Sequence, residues 1–145
     1  MKSRTYHTES EEETIALGEK LATELQAPAV VLLIGQLGAG KTTLAKGIVK
    51  GLGAATPDDV SSPTFTLIHE YSPSVYHIDL YRLDTPEQVA TLGLDEIFDR
   101  RAVVLIEWGE RFPQLMPEQR IEIRLRANGE NSREIDVRAP ERAVQ

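Results

Sequence analysis

Residues 35–43 read GQLGAGKTT and meet the pattern G-x-x-x-x-G-K-[ST]. The chemistry of such a pattern is phosphate binding. The backbone must turn sharply and point its N–H groups inward, and glycines at 35, 38 and 40 tolerate the dihedrals this needs. The helix that follows adds the positive end of its dipole to the same spot. On this basis the backbone of Gly38, Ala39 and Gly40 cradles phosphate, and Lys41 reaches the β- and γ-phosphates. The Thr42 hydroxyl ligates Mg2+ and Thr43 contacts the α-phosphate.

Phosphoryl chemistry also needs an acid at the end of a neighbouring strand, to hold Mg2+ or its waters and to orient the attacking water. Glu107 ends VVLIE, four apolar residues followed by a carboxylate, which is the Walker B layout. Asp79 ends VYHID. Either alone reads equally well as a solvated strand end. A carboxylate closing a buried strand is costly unless paired or metal-bound, so two at comparable positions favour function. Glu107 is assigned as the Walker B acid and Asp79 as the second metal-side carboxylate.

Other polar residues carry weaker signals. Ser61, Thr64 and Thr66 in SSPTFTL read either as γ-phosphate sensors or as ordinary strand-edge hydroxyls. Trp108, the only tryptophan, reads as a core aromatic, with a lid or partner contact as the alternative. His69 and His77 read as satisfied structural groups. Arg82 reads as the partner of a surface acid, with an approach to the phosphates as the alternative. No His/Cys cluster suggests zinc, and no Ser-His-Asp arrangement is legible.

These residues require strands and helices to hold them. Ser10-x-x-Glu13 reads as a capping box opening a helix to about Leu25, with Ile15, Leu17, Leu21, Ala22 and Leu25 as its stripe and Pro28 as its stop. The unbroken apolar runs 29–34 and 102–108 read as strands covered on both faces. A helix spans 41–52 and closes at Gly53. Segments 64–71 and 74–81 predict a hairpin, and 85–93 a short helix with Thr85 at its cap, Pro86 first and Gly93 past its end. The stretch LDEIFD adds a further helical turn or two. Strict alternation over 120–127 and 133–139, around NGENS, predicts an antiparallel C-terminal hairpin with one wet face. Together these give an α/β P-loop-type three-layer domain with a mixed, partly parallel sheet.

The bulk numbers agree. A chain of 145 residues suits one domain with a real core, and 41% hydrophobic with 27% charged residues is ordinary for a globular protein. Without cysteine neither a disulfide frame nor a thiolate metal site is possible. No run approaches the ~20 apolar residues of a membrane span. The opening MKSRTYHTESEEE lacks the apolar core of a secretory signal, so the expected location is cytoplasmic with no membrane contact. A net charge of −7 repels phosphate backbones, so any nucleic-acid substrate is expected to be held by a partner.

GQLGAGKTT, SSPTFTL, HIDLYRL and LIEW, in that order and spacing, together with ETIALGEKLA, closely resemble the bacterial TsaE (YjeE) family over nearly the whole chain. These are small ATPases of tRNA threonylcarbamoyladenosine synthesis. The resemblance implies ATP and Mg2+ as cofactors and TsaD and TsaB as partners. TsaD transfers the threonylcarbamoyl group to an adenosine beside the tRNA anticodon, and ATP hydrolysis by the TsaE subunit resets the complex between turnovers. It makes Lys41, Thr42, Asp79 and Glu107 the functional core with Trp108 beside it, and has Glu11 and Arg133 close over the nucleotide. The family usually reads GDLGAGKT; Gln36 here keeps hydrogen bonding but loses the charge, which bears on hydrolysis rather than on binding. Two rival readings stand beside it. A small-molecule kinase would need lid arginines and an acceptor pocket, which demand more chain. A non-hydrolysing ATP-sensing module has only Gln36 in its favour.

Overall fold

The two unbroken apolar runs become the centre of a seven-stranded sheet. A computed structural model of the chain describes residues 2–56, 60, 67–72 and 74–140. Ser61, Thr64 and Thr66 lie outside the described residues. In chain order the main elements are β1 (Lys2–Thr8), α1 (Glu11–Ala22), β2 (Ala29–Ile34), α2 (Lys41–Gly51), β3 (Ile68–Ser72), β4 (Val75–Asp79), α3 (Pro86–Ala90), α4 (Leu94–Phe98), β5 (Val103–Glu107), β6 (Ile121–Ala127) and β7 (Arg133–Ala139). The strand order is β1-β7-β6-β2-β5-β4-β3. Strands β6, β2, β5 and β4 run parallel, whereas β1–β7, β7–β6 and β3–β4 are antiparallel.

Every residue of β2, β4 and β5 is buried, as expected of strands covered on both faces. On one face Val31, Leu33, Val103 and Leu105 pack with Leu17 and Leu21 of α1 and Leu44 and Ile48 of α2. On the other, Val30, Leu32, Ile78 and Ile106 pack with Val89 of α3, Leu94 and Ile97 of α4, and Phe112 and Met116. The three layers follow from this two-sided packing. Residues 109–111 and 113–115, between β5 and β6, form two short 3-10 turns that sequence reading did not anticipate.

The boundaries differ from expectation at several points. Helix α1 ends at Ala22 rather than near Leu25. Its cap is Ser10, whose side chain accepts from Glu13 N at 3.1 Å, but the Glu13 carboxylate reaches Glu9 N at 2.8 Å, one residue before the capping-box position. Thr85 and Gln88, by contrast, complete a full capping box at α3. LDEIFD begins a separate helix because Gly93, at φ 72°, turns the chain first. Strand β3 starts at Ile68, later than the predicted hairpin.

Strand β1 went unseen in the sequence. Among the described residues it is an edge strand that pairs only with β7, and its sequence KSRTYHT carries a single large apolar side chain, Tyr6. That ring packs on the core and lies beneath the cations of Arg4 and Lys20, at 5.9 and 5.5 Å. An edge strand with one inward aromatic shows no hydrophobic alternation to read.

Candidate functional site

Strand register brings the site together. Leu33 of β2 lies beside Glu107 of β5, and Glu107 lies beside Asp79 of β4. The glycine loop therefore leaves β2 next to both acids, at the carboxyl ends of parallel strands, where open α/β sheets place their ligands. A cavity of about 500 Å³ occupies this position. It is lined by Glu11, Thr14, Leu37, Gly38, Gly40, Lys41, Thr42, Thr43, Asp79, Tyr81, Glu107, Trp108, Asn131 and Arg133.

Most sequence-predicted site residues thus converge. Gly38, Gly40, Lys41, Thr42, Thr43, Asp79, Glu107, Glu11 and Arg133 all line the cavity. Ala39 is buried among core side chains under the loop and does not line it. Arg82 is exposed and also stands outside the lining. Gly40 caps α2 at φ 100°, a conformation that strains any residue with a Cβ. Gln36 is exposed, its carbonyl accepting from Ala39 N at 3.0 Å within the loop.

Lys41 is nearly buried, with 5% relative exposure. Its Nζ donates to the Gly35 carbonyl at 2.8 Å and lies 3.6 Å from the centre of the Trp108 ring. Burial pushes the Lys41 ammonium below its ordinary pKa, against the pull of Glu107, Glu110 and Asp79. Trp108 adopts φ 69°, rare for a non-glycine residue, and this turn lays the indole over the lysine. Tyr81, 42% exposed, meets the indole with ring centres 5.1 Å apart. Trp108 is therefore not simply a core aromatic: it packs on the second core at its edge and forms a wall of the cavity.

The acids are equally enclosed. Asp79 and Glu107 are 2% and 3% exposed. Asp79 Oδ1 accepts from Tyr81 N at 2.8 Å. Glu107 Oε2 accepts from the Thr42 hydroxyl at 3.3 Å and contacts His77 Nε2 at 2.7 Å. Two adjacent buried carboxylates repel one another, and a divalent cation relieves that repulsion. With the Thr42 hydroxyl they form a hard, all-oxygen donor set, which fits Mg2+. His77, read from sequence as a structural group, touches the Walker B-type acid directly. His69 bears out that reading: its Nδ1 is 3.2 Å from the Tyr71 hydroxyl, and burial holds its pKa below the usual histidine range.

The far end of the chain closes one side. The 128–132 turn is pinned by Asn128 N donating to Ser132 O at 3.0 Å. From its end the Arg133 guanidinium donates to the Gly129, Glu130 and Ser132 carbonyls and, at 3.2 Å, to Gly38 O of the glycine loop. Ser132 Oγ donates to Glu9 at 3.0 Å, tying the same turn to the start of α1. Asn131 and Thr14 join the lining without having been singled out in sequence, because only the fold brings their segments to the loop.

Comparisons with known proteins agree with this architecture. The model of the family described as "Threonylcarbamoyl adenosine biosynthesis protein TsaE" matches residues 8–135. A relative from Bacillus subtilis, named tRNA threonylcarbamoyladenosine biosynthesis protein TsaE, is 39% identical over 142 residues, covering 96% of this chain and 87% of the relative. The protein of that name from Nostoc sp. is 43% identical over 133 residues, covering 87% of this chain and 80% of its own length. The crystal structure of Bacillus subtilis YdiB superposes with a TM-score of 0.77 at 35% identity, covering 95% of this chain and 86% of that one. With the family model matching residues 8–135 and relatives 39–43% identical over most of their length, this chain belongs to the TsaE family.

Proposed function

We propose that the chain binds and hydrolyses Mg·ATP as a cytoplasmic subunit supporting repeated N6-threonylcarbamoylation of adenosine beside the tRNA anticodon, together with TsaD and TsaB. The observation that carries this reading is the convergence of Lys41, Thr42, Asp79 and Glu107 on one cavity at the strand ends. Backbone N–H groups of the 38–43 segment and the start of α2 receive the phosphates, and Lys41 supplies the matching charge. Thr42, Asp79 and Glu107 would hold Mg2+, whose chemistry is to neutralise charge developing on the β- and γ-phosphates. Glu107 also orients the attacking water. Arg133 and Glu11 border the nucleotide from the turn and from α1.

The subunit role suits the charge of −7, because tRNA is then held by the partners. No described helix is long and apolar enough to cross a membrane.

Lys41→Ala tests nucleotide binding. Titration with ATP in Mg2+, read by Trp108 emission and by calorimetry, is expected to show binding by the parent protein and at least about 100-fold weaker binding by the variant. Equal affinity would refute the assignment. ADP release that depends on an added metabolite would instead favour the kinase reading.

A further inference from the structure

We propose that His77 is a positioning residue that holds the Glu107 carboxylate by one oxygen and keeps its orientation toward the cavity fixed. The inference rests on the ATPase reading above and assigns a task to a side chain outside the cavity lining. His77 lies in β4 opposite Leu105 of β5, so Glu107 is its diagonal neighbour two residues further along the parallel pair. Residues 77, 79, 105 and 107 share the sheet face that packs toward α2, because side chains alternate along each strand. Diagonal pairs of this kind are within reach of long side chains.

The imidazole is fully buried, at 0% exposure, in a strand whose other residues before Asp79 are Val75, Tyr76 and Ile78. A polar ring in such a place is unfavourable unless hydrogen-bonded. Its only polar contact among the described residues is Nε2 to Glu107 Oε2 at 2.7 Å, while Nδ1 has no partner. A carboxylate can only accept, so Nε2 carries the hydrogen and donates. Oε2 also receives the Thr42 hydroxyl at 3.3 Å. Both donors therefore fall on one oxygen of Glu107, and Oε1 remains for the cavity that the residue lines. An apolar residue at 77 would leave the carboxylate held only by the longer bond from the Thr42 hydroxyl. This is the arrangement by which an outer group orients an inner ligand, and losing it commonly lowers activity or metal affinity about 10–100-fold.

The test compares His77→Leu, which removes the donor, with His77→Gln, whose amide can replace the Nε2 hydrogen. ATP hydrolysis by the assembled complex at saturating Mg2+ is expected to show kcat reduced at least tenfold in His77→Leu with nucleotide Kd within about twofold, and kcat largely restored in His77→Gln. Unchanged kcat in His77→Leu, or equal losses in both variants, would overturn the proposal. Nitrogen-15 spectra of the His77 ring provide a second readout that needs neither nucleotide nor folding of a variant. A hydrogen on Nε2 in the parent protein supports the assignment, and a bare Nε2 overturns it. If the parent complex hydrolyses no ATP, the ATPase reading fails by itself. The positioning role is then judged by the ring spectrum and by the Mg2+ concentration that nucleotide binding requires, which is expected to rise at least tenfold in His77→Leu and to overturn the role if unchanged.

Discussion

Three residues beyond Glu107, the Glu110 carboxyl has Oε1 buried with no hydrogen-bond partner among the described residues. Burial pushes its pKa above the ordinary glutamate value, opposed by its own backbone N–H and by the charges of Lys41, Arg124 and Arg111. A folded-state value above the unfolded one gives stability that is complete below the unfolded pKa and is lost as pH rises through the folded pKa. Glu110→Gln keeps the shape and removes the charge. We expect its melting temperature to exceed that of the parent near pH 8, and the difference to vanish near pH 4. Thermal unfolding followed across that range checks both the sign and the convergence; a constant offset would mean the effect is packing rather than ionisation. At the same scale, His77 shows why a lone buried histidine resists reading from sequence: its partner is 30 residues away and chosen by strand register.

The helices α1 and α2 approach so closely that glycine is obligatory at their crossing. A Cβ built on Gly47 would sit 2.0 Å from the Ile15 carbonyl, and one on Gly18 would sit 2.6 Å from the Leu44 carbonyl. Gly47→Ala therefore has to force α1 away from the helix that carries Lys41 and Thr42. We expect a loss of about 1–3 kcal/mol, seen as a lower urea midpoint with unchanged slope, despite alanine's better helix propensity. Elements of this kind differ in how openly the sequence declares them. β2 is uniformly apolar, β5 is apolar up to its terminal Glu107, and β6 and β7 alternate, so their type and exposure followed from pattern alone. The glycine loop and both strand-end acids were legible because their spacing is local. β1 was not, since an edge strand with one inward aromatic has no period. Asn131 and Thr14 were not either, because nothing local marks a side chain that meets the loop only through the fold.

Across the whole molecule, the sheet order places both chain-distant closures against the glycine loop. β6 pairs with β2, which delivers the 128–132 turn to the cavity, and β1 pairs with β7, which sets the start of α1 beside that turn. Arg133 is the link, donating to Gly38 O at 3.2 Å. Arg133→Ala is expected to weaken Mg·ATP binding about tenfold, since the guanidinium borders the cavity and its hydrogen bonds are charge-assisted. Equilibrium binding by calorimetry decides it, and unchanged affinity would make the arginine a strut of the turn alone.

The measurement that bears most directly on the proposed role is multiple-turnover tRNA modification by purified TsaB and TsaD supplied with threonylcarbamoyl-adenylate and Mg·ATP. The arms are no addition, this protein, and its Glu107→Ala variant. Sustained turnover with the parent protein alone is the expected result, with the variant stopping after about one cycle. Equal turnover in all three arms would contradict it, leaving a TsaE-family fold without that task.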